Sequence, residues 1–301
     1  MVSAMQDKFY KITSDALLVA VELIHALRPI PETDESNAVI KLSSPPQNHI
    51  NHILEIYRCV LNRLSIGDVD LEVKERAIDL LGLIITQAGD ILPSQDLTKT
   101  IFPLLVDKLK NELTRQTTVR NLTFIANSIL FDDPSKKSFV DLSPILEEVI
   151  QELMGFLRKA QRQLRLTTLI CLEAIIRRYG SSLSPRIYPT LLEELKPLLS
   201  DSDLHIFPQA ISCLCQILYS GGKNPQVEST VKDQIVPTII QLMMDMPHLV
   251  AGGSGLESLL TFWGCIVRSY QGGSDCVRML ISKVESGTMP KQVSKQFILK
   301  N

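Results

Sequence analysis

The residues of this chain best equipped for chemistry are its histidines, its cysteines and a few glycine and cation clusters. His49 and His52 stand three apart, a spacing that puts two imidazoles on one helix face, as a zinc site would use them. No third ligand lies at motif distance, and a helix start there offers solvent instead, so no metal is expected. Cys213 and Cys215 point about 200° apart on a helix, which is wrong for chelation. With Cys59, Cys171, Cys265 and Cys276 they fall inside apolar patterns and are not clustered along the chain. They read as buried, reduced core thiols of an intracellular protein. Gly252-Gly253-Ser254-Gly255 precedes a helix, but a phosphate loop needs a strand before it and Gly-Lys-Ser/Thr after it. Leu256-Glu257-Ser258 follows instead, which makes a turn. Asn121-Leu122-Thr123 matches a glycosylation sequon inside a predicted helix. No catalytic, cofactor or metal set emerges, and the chain does not read as an enzyme.

Two charged groups remain as candidates for contact with a partner. Arg158, Lys159, Arg162 and Arg165 form the densest basic cluster, across a turn and a helix start. They read as capping and ion-paired residues of a solvated turn, or as a patch for an acidic partner. Glu72, Lys74 and Glu75 read as a solvated stretch, or as part of the partner-facing side of a helical array. The net charge of -2 lacks the basic excess that phosphate binding requires, so no nucleic-acid partner is expected. No stretch approaches the roughly 18 apolar residues of a membrane span, and Met1–Tyr10 has neither the basic nor the apolar region of a signal peptide. These features predict cytoplasm and nucleus, without a membrane partner.

The elements that must carry these residues show in a repeated helix start. Asp70-x-x-Val73-Lys74-x-x-Ala77 is echoed by Asp7-x-x-Tyr10-Lys11-x-x-Ser14, Gln116-x-x-Val119-Arg120-x-x-Thr123 and Gln161-x-x-Leu164-Arg165-x-x-Thr168. A fifth copy, Asp203-x-x-Ile206-Phe207-x-x-Ala210, lacks the cation. From Val73 the aliphatic position advances by 46, 45 and 42 residues, the length of two helices and two turns in HEAT and armadillo arrays. The acid or amide is expected to cap the second helix of each pair. The aliphatic and small residues, four apart, share its buried face. The cation should bond to a neighbouring turn or acid.

The predicted architecture is all-α: a right-handed α-solenoid of HEAT-type antiparallel pairs over 1–301, about six in number. A lone second helix spans 10–28. Pairs follow at 48–65 and 69–88, 97–113 and 115–128, 143–157 and 161–179, 185–199 and 203–219, 228–245 and 254–270. A last pair begins near 275. Prolines 103, 197, 208, 237 and 247 fall in or near helix ends, where kinks are expected. Segments 29–47 and 131–142 are polar and are expected to be mobile loops. Terminal solenoid repeats normally present polar outer faces. Leu17, Leu18, Val21, Leu23 and Ile24 near the start are apolar, which suggests a length of a longer array.

Three runs carry a resemblance. Phe9–Val19, Asp68–Ile78 and Leu109–Val119 resemble, in order, stretches of the cullin-associated and neddylation-dissociated family, also called TATA-binding-protein-interacting. Weaker likeness continues through Ser202–His205 and Arg278–Leu280, and the region resembled is the family's middle. The resemblance implies a non-enzymatic scaffold. Its full-length parent would bind a cullin–RING ligase and promote exchange of substrate receptors. The family's cullin-gripping parts lie outside this stretch, so no contact residue is carried over. A general HEAT scaffold for phosphatase assembly or nuclear transport is the alternative.

Overall fold

The computed structural model describes residues 1–29, 44–67, 70–128, 140–200, 203–221, 223–247, 253–269 and 272–291. Among these residues every regular element is helical. The expected loops at 29–47 and 131–142 lie for the most part outside the described residues. The chain divides into two compact units, 1–152 and 153–301.

The first unit opens with a short turn of helix, α1 (Val2–Met5), against α2 (Tyr10–Leu27). Two antiparallel pairs follow. α3 (Gln47–Ser65) packs on α4 (Leu71–Ala88), and α5 (Phe102–Lys110) packs on α6 (Arg115–Ala126). The second helices also stack on one another, α2 on α4 and α4 on α6.

α4 shows why these residues form a helix. Asp70 accepts the Glu72 amide at 2.9 Å as its cap, satisfying one of the free amides of the first turn. Val73, Ala77, Leu80, Leu81, Ile84 and Ala88 recur at helical spacing, each at most 1 % exposed. Burying each large aliphatic side chain stabilises the fold by about 1.5–3 kcal/mol.

The division between units falls within α7 (Leu146–Leu157). The second unit continues with α8 (Arg162–Tyr179), α9 (Ile187–Leu195), α10 (Ile206–Gly221), α11 (Val236–Asp245), α12 (Gly253–Ser269) and α13 (Gly273–Glu285). α9 pairs with α10 and α12 with α13, while α8, α10 and α12 stack in sequence. Leu164 and Ile206, the counterparts of Val73, are 1 % and 0 % exposed.

Prolines 103, 197 and 237 act on the first helices of the pairs, while Pro208 sits in the first turn of α10. The helix expected at 97–113 begins as one turn, Ser94–Asp96, followed by a wide π-turn, Leu97–Ile101, before Phe102-Pro103 restarts an α-helix. The helix expected at 228–245 has the same layout: Pro225–Thr230, a π-turn at Val231–Ile235, then Val236-Pro237. Proline has no amide to donate and its ring crowds the carbonyl four residues back. An inserted residue in the preceding turn relieves that clash. At Pro197 the outcome differs, and α9 gives way to a 3₁₀ segment, Lys196–Ser200.

Candidate partner-binding surface

The second helices are joined by a ladder of polar contacts, each linking residues roughly one repeat apart. In the first unit the Ser14 hydroxyl donates to Glu72 Oε1 at 3.0 Å. Arg76 reaches across to Asp15 at 3.6 Å while it pairs within α4 with Glu72 at 2.5 Å. The Gln87 amide meets His25 Nδ1 at 2.9 Å. Arg28, 2 % exposed, closes this rung with a bidentate pair to Asp90 at 2.5 and 2.6 Å. Between α4 and α6 the Thr117 hydroxyl donates to Glu75 Oε1 at 3.0 Å, and Asn121 Nδ2 donates to Asp79 Oδ1 at 2.8 Å. Burial pushes the Asp79 carboxyl above its ordinary range, against the opposing pull of Asn121 and Arg120. In the second unit Gln209 Nε2 donates to Glu173 across α8 and α10 at 2.5 Å. Arg162 grips Asp203 with Nε and Nη2, the latter at 3.0 Å.

Contacts within the chain take up most of the charged residues singled out from the sequence. Glu72 and Glu75 hold α2 and α6 to α4, and Lys74 Nζ donates to the Gly67 carbonyl at 2.9 Å. Arg158 makes a bidentate pair with Glu194, one arm at 2.7 Å. Arg162 is committed to Asp203, Arg165 is half-buried, and Lys159 stays exposed. The acidic group lies in the first unit and the basic group in the second.

The capping expectation needs correction at three positions. Asp70 caps α4, and Asp203 accepts the His205 and Ile206 amides at 2.9 and 3.2 Å ahead of α10. Asp7 accepts the Phe9 amide at 2.8 Å in the turn before α2, but α2 itself begins after Phe9 without a side-chain cap bond. Gln116, however, lies inside α6, and Gln161 stands at the start of α8 without a side-chain cap bond. Arg162 and the amides together hold the Asp203 carboxyl well below the usual carboxylate range.

The buried face also departs from the expected pattern in places. Ser14, Ala77, Thr168 and Ala210 are buried, but Tyr10 is 39 % exposed and Thr123 is half-buried. Leu17 and Ile24 are fully buried, whereas Leu18 and its neighbour Val19 are about half exposed. Phe124 on α6, Tyr219 on α10 and Val267 on α12 also stand out from their second helices.

The remaining candidates for chemistry are occupied with other work. His49 Nδ1 meets the Leu27 carbonyl at 3.1 Å, and His52 Nδ1 lies 4.0 Å from Glu55. Among the described residues no group of three or more His, Cys, Asp or Glu is placed to hold a metal ion, and no helix is long and apolar enough to cross a membrane. Asn121 is 2 % exposed and engaged on Asp79, so the folded chain shields its sequon. Gly252 lies outside the described residues, and Gly253, at φ 58°, starts α12.

The cysteines depart from the expectation that they are scattered. Burial raises the Cys213 thiol, with Glu173 and then Cys171 adding to the shift, and Cys265 Sγ donates to the Cys215 backbone carbonyl at 3.5 Å. Folding has joined thiols that sequence distance separates. A spacing near 42 residues, as between Cys171 and Cys213, was the available signal.

Antiparallel helix pairs whose second helices are tied rung to rung within each unit define a helical-repeat protein of the HEAT and armadillo class. A designed armadillo repeat protein superposes with a TM-score of 0.55 at 14% identity, covering 88% of this chain and 97% of that one. The likeness to the cullin-associated NEDD8-dissociated proteins extends over nearly the whole chain. The family model described as "CAND1-like, TPR repeats" matches residues 1–81. Cullin-associated NEDD8-dissociated protein 1 of Drosophila melanogaster is 34% identical over 283 residues, which is 94% of this chain and 21% of that protein. The Arabidopsis thaliana protein of the same name is 33% identical over 297 residues, 96% of this chain and 22% of its own length. The chain thus spans about a fifth of the curated relatives it matches. Its repeat step of 42 to 46 residues exceeds the roughly 34 of a tetratricopeptide repeat, in keeping with the armadillo neighbour.

Proposed function

We propose that this chain is a non-enzymatic scaffold segment of a cullin-binding regulator that promotes substrate-receptor exchange on cullin–RING ubiquitin ligases. The observation that carries the reading is the 34% identity over 283 residues to a protein named for its association with cullins. The polar ladder supports it physically. Within each unit successive second helices are joined by charge-assisted bonds, which fix spacing more tightly than apolar contact alone. Such a segment would hold gripping surfaces elsewhere in a longer protein at a set separation. On this reading the work is done in the cytoplasm and nucleus.

The test is a chimera in which this chain replaces the matching stretch of the Drosophila relative. The chimera should bind an unneddylated cullin–RING complex and speed receptor exchange. The isolated chain should retain the complex weakly or not at all. A chimera that folds, shown by an unchanged circular dichroism spectrum, yet neither binds nor exchanges receptors would remove the basis for the reading. Tight binding by the isolated chain would overturn the spacer role.

A further inference from the structure

The second unit gathers four of the six cysteines on three stacked helices: Cys171 on α8, Cys213 and Cys215 on α10, and Cys265 on α12. They differ in access. Cys171 and Cys213 are 0 % exposed, Cys215 is 7 % exposed, and Cys265 is half-buried. The last two are in contact: Cys265 Sγ donates to the Cys215 backbone carbonyl at 3.5 Å. A sulfur reaching the partner's own carbonyl requires close backbone approach, and α10 and α12 pack directly on each other. A disulfide needs Cα atoms within about 7 Å, and two cysteines in contact on adjoining helices are a starting point for it.

We propose that Cys215 and Cys265 form a disulfide when the chain meets hydrogen peroxide, stapling two successive second helices of the second unit. Cys265, the accessible partner, reacts first. Its sulfur, as thiolate, attacks one peroxide oxygen and the O–O bond breaks. The products are a sulfenic acid and one water, which takes up the thiol proton. The Cys215 sulfur then attacks the Cys265 sulfur, forming the S–S bond and expelling the hydroxyl as a second water with the Cys215 proton. Two electrons pass from the sulfur pair to the peroxide. The neighbouring Cys265 and burial hold the Cys215 thiol above its ordinary range, which makes the second step slow at neutral pH. Cys171 and Cys213 form an internal control, since no route from solvent reaches either.

The experiment treats the whole chain with hydrogen peroxide, unfolds it in the presence of an alkylating agent and maps it by mass spectrometry. The expected product is lighter by two hydrogen atoms and carries a Cys215–Cys265 crosslink. Fragment ions on either side of Leu214 distinguish Cys215 from Cys213. Cys171 and Cys213 should remain alkylatable. Cys265→Ser should abolish the crosslink, and Cys215→Ser should leave a sulfenic acid at Cys265 that dimedone traps. Should either variant fail to fold, the map of the unaltered chain decides alone. Oxidation of Cys265 onward to sulfinic acid with Cys215 still alkylatable would overturn the proposal. So would oxidation of all four thiols at one rate, or of none before the chain unfolds.

Discussion

Gly82 lies in the middle of α4, where alanine is ordinarily the better residue by about 1 kcal/mol. Here the sign should reverse. A Cβ at Gly82 would stand 1.8 Å from Asn121 Oδ1 and 2.7 Å from its Cγ. Asn121 would have to swing away, and in its present position it donates to Asp79 Oδ1 at 2.8 Å and to the Thr117 carbonyl at 2.9 Å. A hydrogen bond to a charged group contributes about 1.5–3 kcal/mol, and a stranded buried amide adds to the loss. Subtracting the helix gain, Gly82→Ala should destabilise the first unit by about 1–2 kcal/mol. The assay is urea unfolding followed by far-ultraviolet circular dichroism, because the only tryptophan, Trp263, reports on the second unit. The pair Gly82→Ala and Asn121→Ala supplies the control. With the amide gone, the alanine should recover its helix advantage, giving a coupling of about 2 kcal/mol. A Gly82→Ala chain as stable as the parent would refute the reasoning, and so would an equal loss in the Asn121→Ala background.

Removing one member of the Arg28–Asp90 pair should cost about 3–5 kcal/mol because it strands a buried charge. Arg28→Met with Asp90→Leu should cost far less, as urea midpoints of the three chains will show. Asp203→Asn should lower stability at neutral pH. The carboxyl titrates below its ordinary range in the folded chain, so its stabilisation is full above the unfolded value of about 4 and fades as pH falls through the folded value. Denaturation midpoints of parent and variant should therefore differ at pH 7 and converge in strong acid.

How much was legible in the sequence follows from which contacts are local. Val73, Val119, Leu164 and Ile206 recur at a step that suits a helix pair, and all four are buried at 1 % exposure or less. The bounds of α2, α3 and α8 fall within a residue of those expected, because capping, periodicity and stop signals act over one helix. Helix-forming pattern hid the π-turns before Pro103 and Pro237. A proline announces a defect, while the route by which backbone bonds are recovered depends on what packs against the turn.

For the candidate surface, the sequence by itself determined which residues carry charge and on which helices they ride. It left Glu72, Glu75, Arg158 and Arg162 open between solvent, partner and neighbour. The tertiary structure decided this by setting successive second helices side by side, so that residues some forty apart meet. Glu75 then finds Thr117, Arg162 finds Asp203 and Cys215 finds Cys265. Such partners are fixed by the register of one helix against the next. That register comes from close approaches such as Gly82 against Asn121, and no single helix's periodicity records it.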